Sequence, residues 1–179
     1  MKMNKHINKI MLSLDMIILI AGIALDQWTK SFMTQLLKGK PAVPILTDIL
    51  ELTYVENRGA AFGMLQGKRI YFIIIAVVVF FAIAWLLLKL PLEKKYRKIH
   101  IALSFILAGA IGNTIDRGLN GYVVDFIYFK LIDFPVFNVA DIYITVTTLW
   151  LAVLILFFFK EEDFDFLRKK ERLNPNDDQ

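Results

Sequence analysis

The chain contains no cysteine and only two histidines among its 179 residues. Without cysteine there can be no disulfide bonds, thiolate nucleophiles or cysteine-ligated metal sites. The HExxH and GxSxG motifs, which mark zinc peptidases and serine hydrolases, are also absent, as are the glycine-rich loops that bind nucleotide phosphates. If this chain hydrolyses a substrate, its aspartates must carry the chemistry.

Charge is missing from long stretches of the chain. Residues 71–88 and 142–159 each form a run of 18 residues without a charged side chain. At 1.5 Å per residue, such a helix nearly crosses a hydrocarbon core about 30 Å thick. Hydrophobic residues make up 57% of the chain, more than one soluble core of this size would use. The apolar runs predict four spans, at about 10–26, 70–88, 99–115 and 141–159.

The first run follows a basic start and so resembles a signal peptide, but no small-residue cleavage site comes after it. We therefore interpret it as a span. Asp15 lies near its basic end, where the carboxylate is expected to reach the membrane interface, and His100 is expected at the interface of the third span.

The basic residues predict the orientation of the spans. The N-terminus, the linker 89–98 and the charged end of the chain from Lys160 onward hold 13 of the 21 Lys and Arg residues. An even number of spans places all three on one side, and basic flanks stay in the cytoplasm. The net charge of +4 therefore reflects membrane orientation rather than nucleic-acid binding. We predict one four-span domain over residues 1–160 and a charged cytoplasmic tail over 161–179.

The polar connections then lie together on the outer side. Residues 49–55 are rich in β-forming side chains with partial alternation, which predicts a strand of a small sheet at the membrane surface. Residues 123–129, which surround Asp125, predict a second strand, and its backbone is expected to pair with the first. The small and apolar residues of 56–65 predict a short interfacial helix, with Asn57 as a candidate cap.

Asp125 and Asp141 are the candidate catalytic residues. An Asp within the hydrocarbon region costs about 2.5–3.5 kcal/mol on insertion scales, so ionisable residues beside spanning helices favour a functional role. Asn138 is placed to cap the last span, with Asp141 at the position of a capping-box acid, where the helix dipole favours the ionised carboxylate. Two carboxylates in a poorly hydrated site share a proton, so that one can activate water while the other protonates a carbonyl oxygen. The dipole favours Asp141 as the base, although titration belongs to the coupled pair.

Other interpretations of these residues stay open. Asp141 could serve only as a capping acid, and Asp116 with Arg117 only as an ion pair that ends the third span. The carboxylates could line a proton or ion pathway, but spans two and four carry no charge through the membrane. A non-enzymatic scaffold that binds lipid or peptide is a third possibility.

Five motifs give the sequence a specific resemblance. They are Asp26-Gln27-Trp28-Thr29-Lys30, Asn57-Arg58-Gly59-Ala60-Ala61-Phe62, Gly112-Asn113-Thr114-Ile115-Asp116-Arg117, Val123-Val124-Asp125-Phe126-Ile127 and Phe137-Asn138-Val139-Ala140-Asp141. In this order and spacing they resemble the lipoprotein signal peptidases of bacteria, over residues 10–160. Arg58 departs from the family, which more often has a small polar residue there.

The resemblance implies a fold and an activity. The fold is an all-α polytopic membrane protein with four transmembrane helices, a small extracytoplasmic β-cradle and a short interfacial helix. The activity is that of a membrane-embedded aspartyl endopeptidase that removes signal peptides from diacylglyceryl-modified prolipoproteins, cutting before the lipidated cysteine. Such enzymes need no metal or cofactor.

The resemblance also implies roles for individual residues. It assigns Asp125 and Asp141 to the catalytic dyad. Substrate binding or dyad positioning falls to Asn57, Asn113, Arg117 and Asn138, and supporting roles to Asp26, Lys30 and Asp116. The expected partners are lipidated prolipoproteins, membrane lipids and globomycin-type inhibitors, without nucleic acid, and the expected state is a monomer. The expected location is the bacterial cytoplasmic (inner) membrane, with both termini in the cytoplasm and the active site at the outer face.

Overall fold

The computed structural model describes residues 2–59 and 69–167. The interfacial helix expected over 56–65 lies mostly outside the described residues, as does the tail from residue 168 onward.

Four helices dominate the fold. They are α1 (Lys2–Leu37), α2 (Arg69–Lys89), α3 (Arg97–Leu119) and α4 (Val139–Phe158). Each is long and apolar enough to cross a membrane. Together with a small three-stranded sheet, these helices confirm the predicted class of a four-span membrane protein.

Helix α1 continues to Leu37, well beyond residue 26, where the sequence placed the end of the first span. Polar side chains such as Asp26 and Lys30 suggested an end because they are costly in lipid. Both are buried against α3 and hydrogen-bonded or ion-paired there, so the helix has no reason to stop.

Helix α3 forms the centre of the bundle and is the most buried of the four. Small residues let its neighbours approach closely, because an added Cβ on Gly22 of α1 would lie 2.9 Å from the Cβ of Ala108. A Cβ on Gly109 would lie 2.6 Å from the carbonyl oxygen of Ala140 in α4. The close approach allows dispersion contacts and hydrogen bonds to hold the helices together in lipid.

The sheet consists of β1 (Val43–Leu46), β2 (Leu50–Asn57) and β3 (Val123–Phe129), in that order and all antiparallel. The predicted pairing of the two outer segments is confirmed, with β2 and β3 aligned from Leu50 opposite Phe129 to Asn57 opposite Val123. Leu37, Val124 and Phe126 form a buried cluster that joins the sheet to the end of α1.

The segment between β3 and α4 returns to the sheet. Ile127 and Phe137 exchange backbone hydrogen bonds of 2.9 and 3.0 Å. This bridge brings Asn138, the N-cap residue of α4, beside the middle of β3.

Asp15 and His100, both expected near the interface, contact each other inside the protein. His100 is 1% exposed, and its Nδ1 lies 2.8 Å from Oδ2 of Asp15. Ser104 donates a longer hydrogen bond of 3.4 Å to the same carboxylate. These contacts lie between α1 and α3 and satisfy the carboxylate inside the protein, so it has no need to reach the headgroups.

Candidate active site

Asp125 lies in the middle of β3 and is only 2% exposed. Both of its oxygens accept hydrogen bonds from side-chain amides. Asn57 donates to Oδ2 at 2.8 Å, and Asn138 donates to Oδ1 at 2.6 Å. The strand register explains the first bond, because Asn57 ends β2 next to the residues that pair with this part of β3.

Asp141 lies in the first turn of α4, where the predicted capping box is confirmed. Asn138 Oδ1 accepts a hydrogen bond from the Asp141 amide, and Asp141 Oδ2 accepts one from the Asn138 amide, both at 3.1 Å. Asn113 of α3 donates to the other oxygen, Oδ1, at 2.9 Å. The carboxylate is therefore held in one orientation from two helices.

Asn138 connects the two carboxylates. Its side-chain amide binds Asp125, its backbone amide binds Asp141, and the side-chain amide also donates to Asn113 Oδ1 at 3.2 Å. Both aspartates open into one cavity of about 530 Å³. The cavity is lined by Asn57, Phe72, Arg117, Asp125, Phe134, Pro135, Val136, Phe137, Asp141, Ile142, Thr145 and Val146.

Arg117 lies at the same cavity and is half-buried. Its guanidinium lies 4.7 Å from the centre of the Phe72 ring, and its Nη2 donates to the carbonyl oxygen of Gly59 at 3.1 Å. Stacking on an aromatic ring leaves the edge of a guanidinium able to donate further hydrogen bonds. Arg117 is therefore placed to meet a ligand in the cavity.

Asp26, Lys30 and Asp116 form a buried charge cluster behind the two candidate catalytic residues. Lys30 Nζ lies 2.8 Å from Asp26 Oδ2 and 3.1 Å from Asp116 Oδ2, and it donates to Asn113 Oδ1 at 2.9 Å. Asp116 thus pairs with Lys30, rather than with Arg117 as the alternative interpretation of helix three supposed. Through Asn113 the cluster is hydrogen-bonded to Asp141.

The pKa of Asp125 differs from that of an ordinary carboxyl. Burial, followed by the negative charge of Asp141, raises the pKa of Asp125 to about 7, although the bonds from Asn57 and Asn138 lower it in part. Near neutral pH this carboxyl therefore carries a proton for a large fraction of the time.

Several further residues shape the site. Gln27 joins the charge cluster from α1, and Gly112 leaves the space into which Asp26 fits, since an added Cβ there would lie 2.3 Å from Asp26 Oδ2. Phe72 and the segment 134–137 form the apolar wall of the cavity. Gln27 and Gly112 lie inside the motifs quoted above, so the sequence did mark them. The apolar wall of the cavity could not be found from the sequence, because it depends on how the chain folds back.

Within residues 2–59 and 69–167, no group of three or more His, Asp or Glu side chains is arranged to hold a metal ion. The polar groups at the cavity are instead two carboxylates, one amide, one guanidinium and the hydroxyl of Thr145. This set can bind a peptide backbone and can exchange protons with water.

Comparison with known proteins adds independent findings. A family model described as signal peptidase (SPase) II matches residues 18–158. A lipoprotein signal peptidase of Brevibacillus brevis is 48% identical over 124 residues, which cover 69% of this chain and 82% of the relative. One from Caldanaerobacter subterraneus subsp. tengcongensis is 48% identical over 143 residues, covering 79% of this chain and 95% of the relative.

Two solved structures of bacterial membrane enzymes have the same fold. The first superposes with a TM-score of 0.71 at 30% identity and covers 89% of this chain and 94% of the other. The second gives a TM-score of 0.70 at 31% identity, with coverage of 82% and 95%.

Proposed function

Because the chain belongs to the signal peptidase II family, we propose that it removes signal peptides from diacylglyceryl-modified prolipoproteins, cutting before the lipidated cysteine. Membership of this family makes it an aspartic-type membrane peptidase. The observation that supports the finer proposal best is the bonding of Asp125 and Asp141 to one asparagine, Asn138, at one cavity. Two carboxylates at a shared opening can activate water between them.

In the proposed mechanism, Asp141 is the general base and Asp125 is the general acid. Asp141 lies in the first turn of α4 and opens into the same cavity, so it is placed to take a proton from water there. Asp125 holds the proton, in keeping with its raised pKa. Water gives a proton to Asp141 while it attacks the scissile carbonyl carbon, and Asp125 protonates the carbonyl oxygen. On collapse, Asp141 protonates the leaving amine and Asp125 recovers its own proton.

The neighbouring polar residues are proposed to orient the reacting groups. Asn57, Asn113 and Asn138 hold the carboxylates through the hydrogen bonds described above, so the pair is aligned before substrate arrives. Arg117 is proposed to donate to a backbone carbonyl of the substrate, because its guanidinium borders the cavity and is stacked on Phe72.

The proposed substrate fits the position of the cavity. Its signal helix and two acyl chains lie in the bilayer, so its cleavage site is presented at the membrane surface, beside the apolar wall formed by 134–137. Membrane residence supplies local concentration, and the protein has only to orient one peptide bond. We propose that the protein acts as a monomer in the bacterial inner membrane, with both termini cytoplasmic, and that membrane lipids surround it. We propose that globomycin-type inhibitors occupy the same cavity.

The proposed domain organisation is one four-span peptidase domain followed by a charged cytoplasmic tail. The described part of that tail, 161–167, packs against the start of α3, where Tyr96 donates to the carbonyl oxygen of Asp163 at 2.8 Å. The residues on the two sides of position 160 therefore pack together, and the proposed boundary marks only a change in sequence composition.

The activity itself is tested with purified protein and a synthetic precursor peptide that carries a diacylglyceryl group on its cysteine. Mass spectrometry should detect one cut, immediately before the modified cysteine, because the acyl chains place that bond at the cavity. The matched control is the same peptide without the lipid, which should be cut far more slowly. Equal rates on both peptides, or a cut elsewhere, would contradict the proposed specificity.

The rate should depend on pH in a defined direction. Below its pKa of about 7, Asp125 carries the proton that the mechanism needs, and above it the proton is lost. We therefore expect kcat/KM on the lipidated peptide, which reports the titration of the free enzyme, to fall about tenfold per pH unit on the alkaline side, with a midpoint near pH 7. Initial rates at substrate concentrations well below KM check the prediction, and a kcat/KM that stays level into the alkaline range would refute the assignment of the acid.

A further inference from the structure

Each candidate catalytic aspartate follows a residue whose backbone amide is held by a buried carboxylate. The amide of Val124, directly before Asp125, donates to Asp116 Oδ2 at 3.1 Å. The amide of Ala140, directly before Asp141, donates to Asp26 Oδ1 at 3.1 Å. The two carboxylates come from α3 and α1, so the two halves of the dyad are attached to different helices.

The uncharged side chain of Gln27, in α1, links these two carboxylates. Gln27 Nε2 lies 3.2 Å from Asp26 Oδ2, 3.0 Å from Asp116 Oδ1 and 3.1 Å from the carbonyl oxygen of Gly112. Lys30 bridges the same two carboxylates through its ammonium group. Both links run from α1 to α3 at the depth of the buried cluster.

We propose that Gln27 is a positioning residue, which sets the separation of Asp125 and Asp141 by holding Asp116 and Asp26 at a fixed distance. The inference rests on the proposed function of the two aspartates as a catalytic pair. Gln27 does not line the cavity, so it acts through the two backbone amides rather than on the substrate.

The geometry leaves little freedom for these contacts. Asp26 uses one oxygen for the α4 backbone and the other for the ammonium and amide groups of α1. The absence of a side chain at Gly112 lets the carboxylate approach α3, since an added Cβ would lie 2.3 Å from Asp26 Oδ2. A shift of Gln27 would therefore move Asp116 and, through Val124, the strand that carries Asp125. Catalytic groups must keep their geometry to within about 0.5 Å.

Gln27 is a better test of this role than Lys30. Removal of the lysine leaves two carboxylates buried without their cation, and the fold itself would be at risk. Removal of the glutamine amide leaves the charge balance of the cluster unchanged, so the bundle can fold while losing one link between α1 and α3.

The experiment compares Gln27→Leu with wild-type protein on the synthetic diacylglyceryl peptide. Since a displacement of about 1 Å can cost about 100-fold in rate, we expect kcat to fall by about that factor while KM stays within about twofold. The alkaline limb of the kcat/KM profile should also move to lower pH, because a more distant Asp141 raises the Asp125 pKa less. If Gln27 only stabilised the fold, its loss would lower the amount of folded protein and would leave the alkaline side of the pH profile unchanged.

The matched control is Trp28→Phe, one residue along α1. Trp28 is exposed, stacks on Phe32 and has no part in the cluster, so its variant should keep wild-type kcat and pH profile. Thermal unfolding in detergent reports whether each variant is folded. If Gln27→Leu does not fold, Gln27→Asn carries the test, because it keeps the amide but shortens its reach by one methylene.

A folded Gln27 variant with wild-type kcat and an unmoved alkaline limb would overturn the positioning role. A loss seen only in KM would overturn it as well, since it would indicate substrate contact. Asp125→Asn measured in the same assay separates this failure from failure of the proposed function. If that variant still cleaves the peptide, the dyad itself is wrong, whatever Gln27 does.

Discussion

Asp125→Asn and Asp141→Asn should each abolish cleavage of a lipidated precursor. Asn has nearly the same shape as Asp but can neither accept a proton from water nor donate a carboxyl proton. General acid or base catalysis contributes about 10²–10⁴-fold, so each variant should lose at least that factor in kcat. Purified protein in lipid, assayed by mass spectrometry of the released peptide, checks the result.

The matched control is Asp133→Asn, which makes the same chemical change in the connection between α3 and α4. Asp133 is exposed, accepts a hydrogen bond from the Tyr128 hydroxyl and does not line the cavity. Its variant should cleave at the wild-type rate. Retained cleavage by either Asp125→Asn or Asp141→Asn, in folded protein, would rule out the dyad.

Lys30→Met should cause the largest loss of stability of any single change considered. The lysine is 3% exposed and is the ion-pair partner of both Asp26 and Asp116. Without it, two carboxylates stay buried with no cation between them, and such losses cost about 3–5 kcal/mol. Unfolding in detergent, followed by temperature or denaturant, measures the change in the midpoint.

Two further variants make this test specific. Lys38→Met removes an exposed lysine just beyond α1 that pairs with Glu56, and it should leave the midpoint close to that of wild type because surface pairs are screened. Lys30→Met combined with Asp116→Asn removes one of the unpaired charges and should recover part of the loss. A wild-type midpoint for Lys30→Met alone would show that the cluster does not stabilise the fold.

Local patterns predicted the parts of the site that depend on neighbouring residues. The capping box of Asn138 and Asp141 joins residues three apart, and β-forming side chains on both segments indicated the pairing of β2 with β3. The resemblance in five motifs pointed to Asn57 and Arg117, which also line the cavity. The interfacial helix over 56–65 stays a prediction, since most of it lies outside the described residues.

Contacts between distant residues were not visible in the sequence. The bond between Asp15 and His100 joins residues 85 apart on different helices. The first span was predicted to end near residue 26, but Asn113 and Asp116 also bind Lys30, and α1 continues to Leu37. In both cases α3 supplies the missing partner.

The amino-acid sequence by itself determined that this chain spans a membrane four times and that charged side chains are missing from the second and fourth apolar runs. Those properties follow from the free energy of moving side chains into lipid, which each residue contributes almost independently of the others. Only the tertiary structure decided that Asp125 and Asp141 share Asn138, and that burial raises the pKa of Asp125 to about 7. Hydrogen bonds and desolvation depend on how α1, α3 and α4 rotate and pack against one another, and that arrangement is a property of the whole bundle.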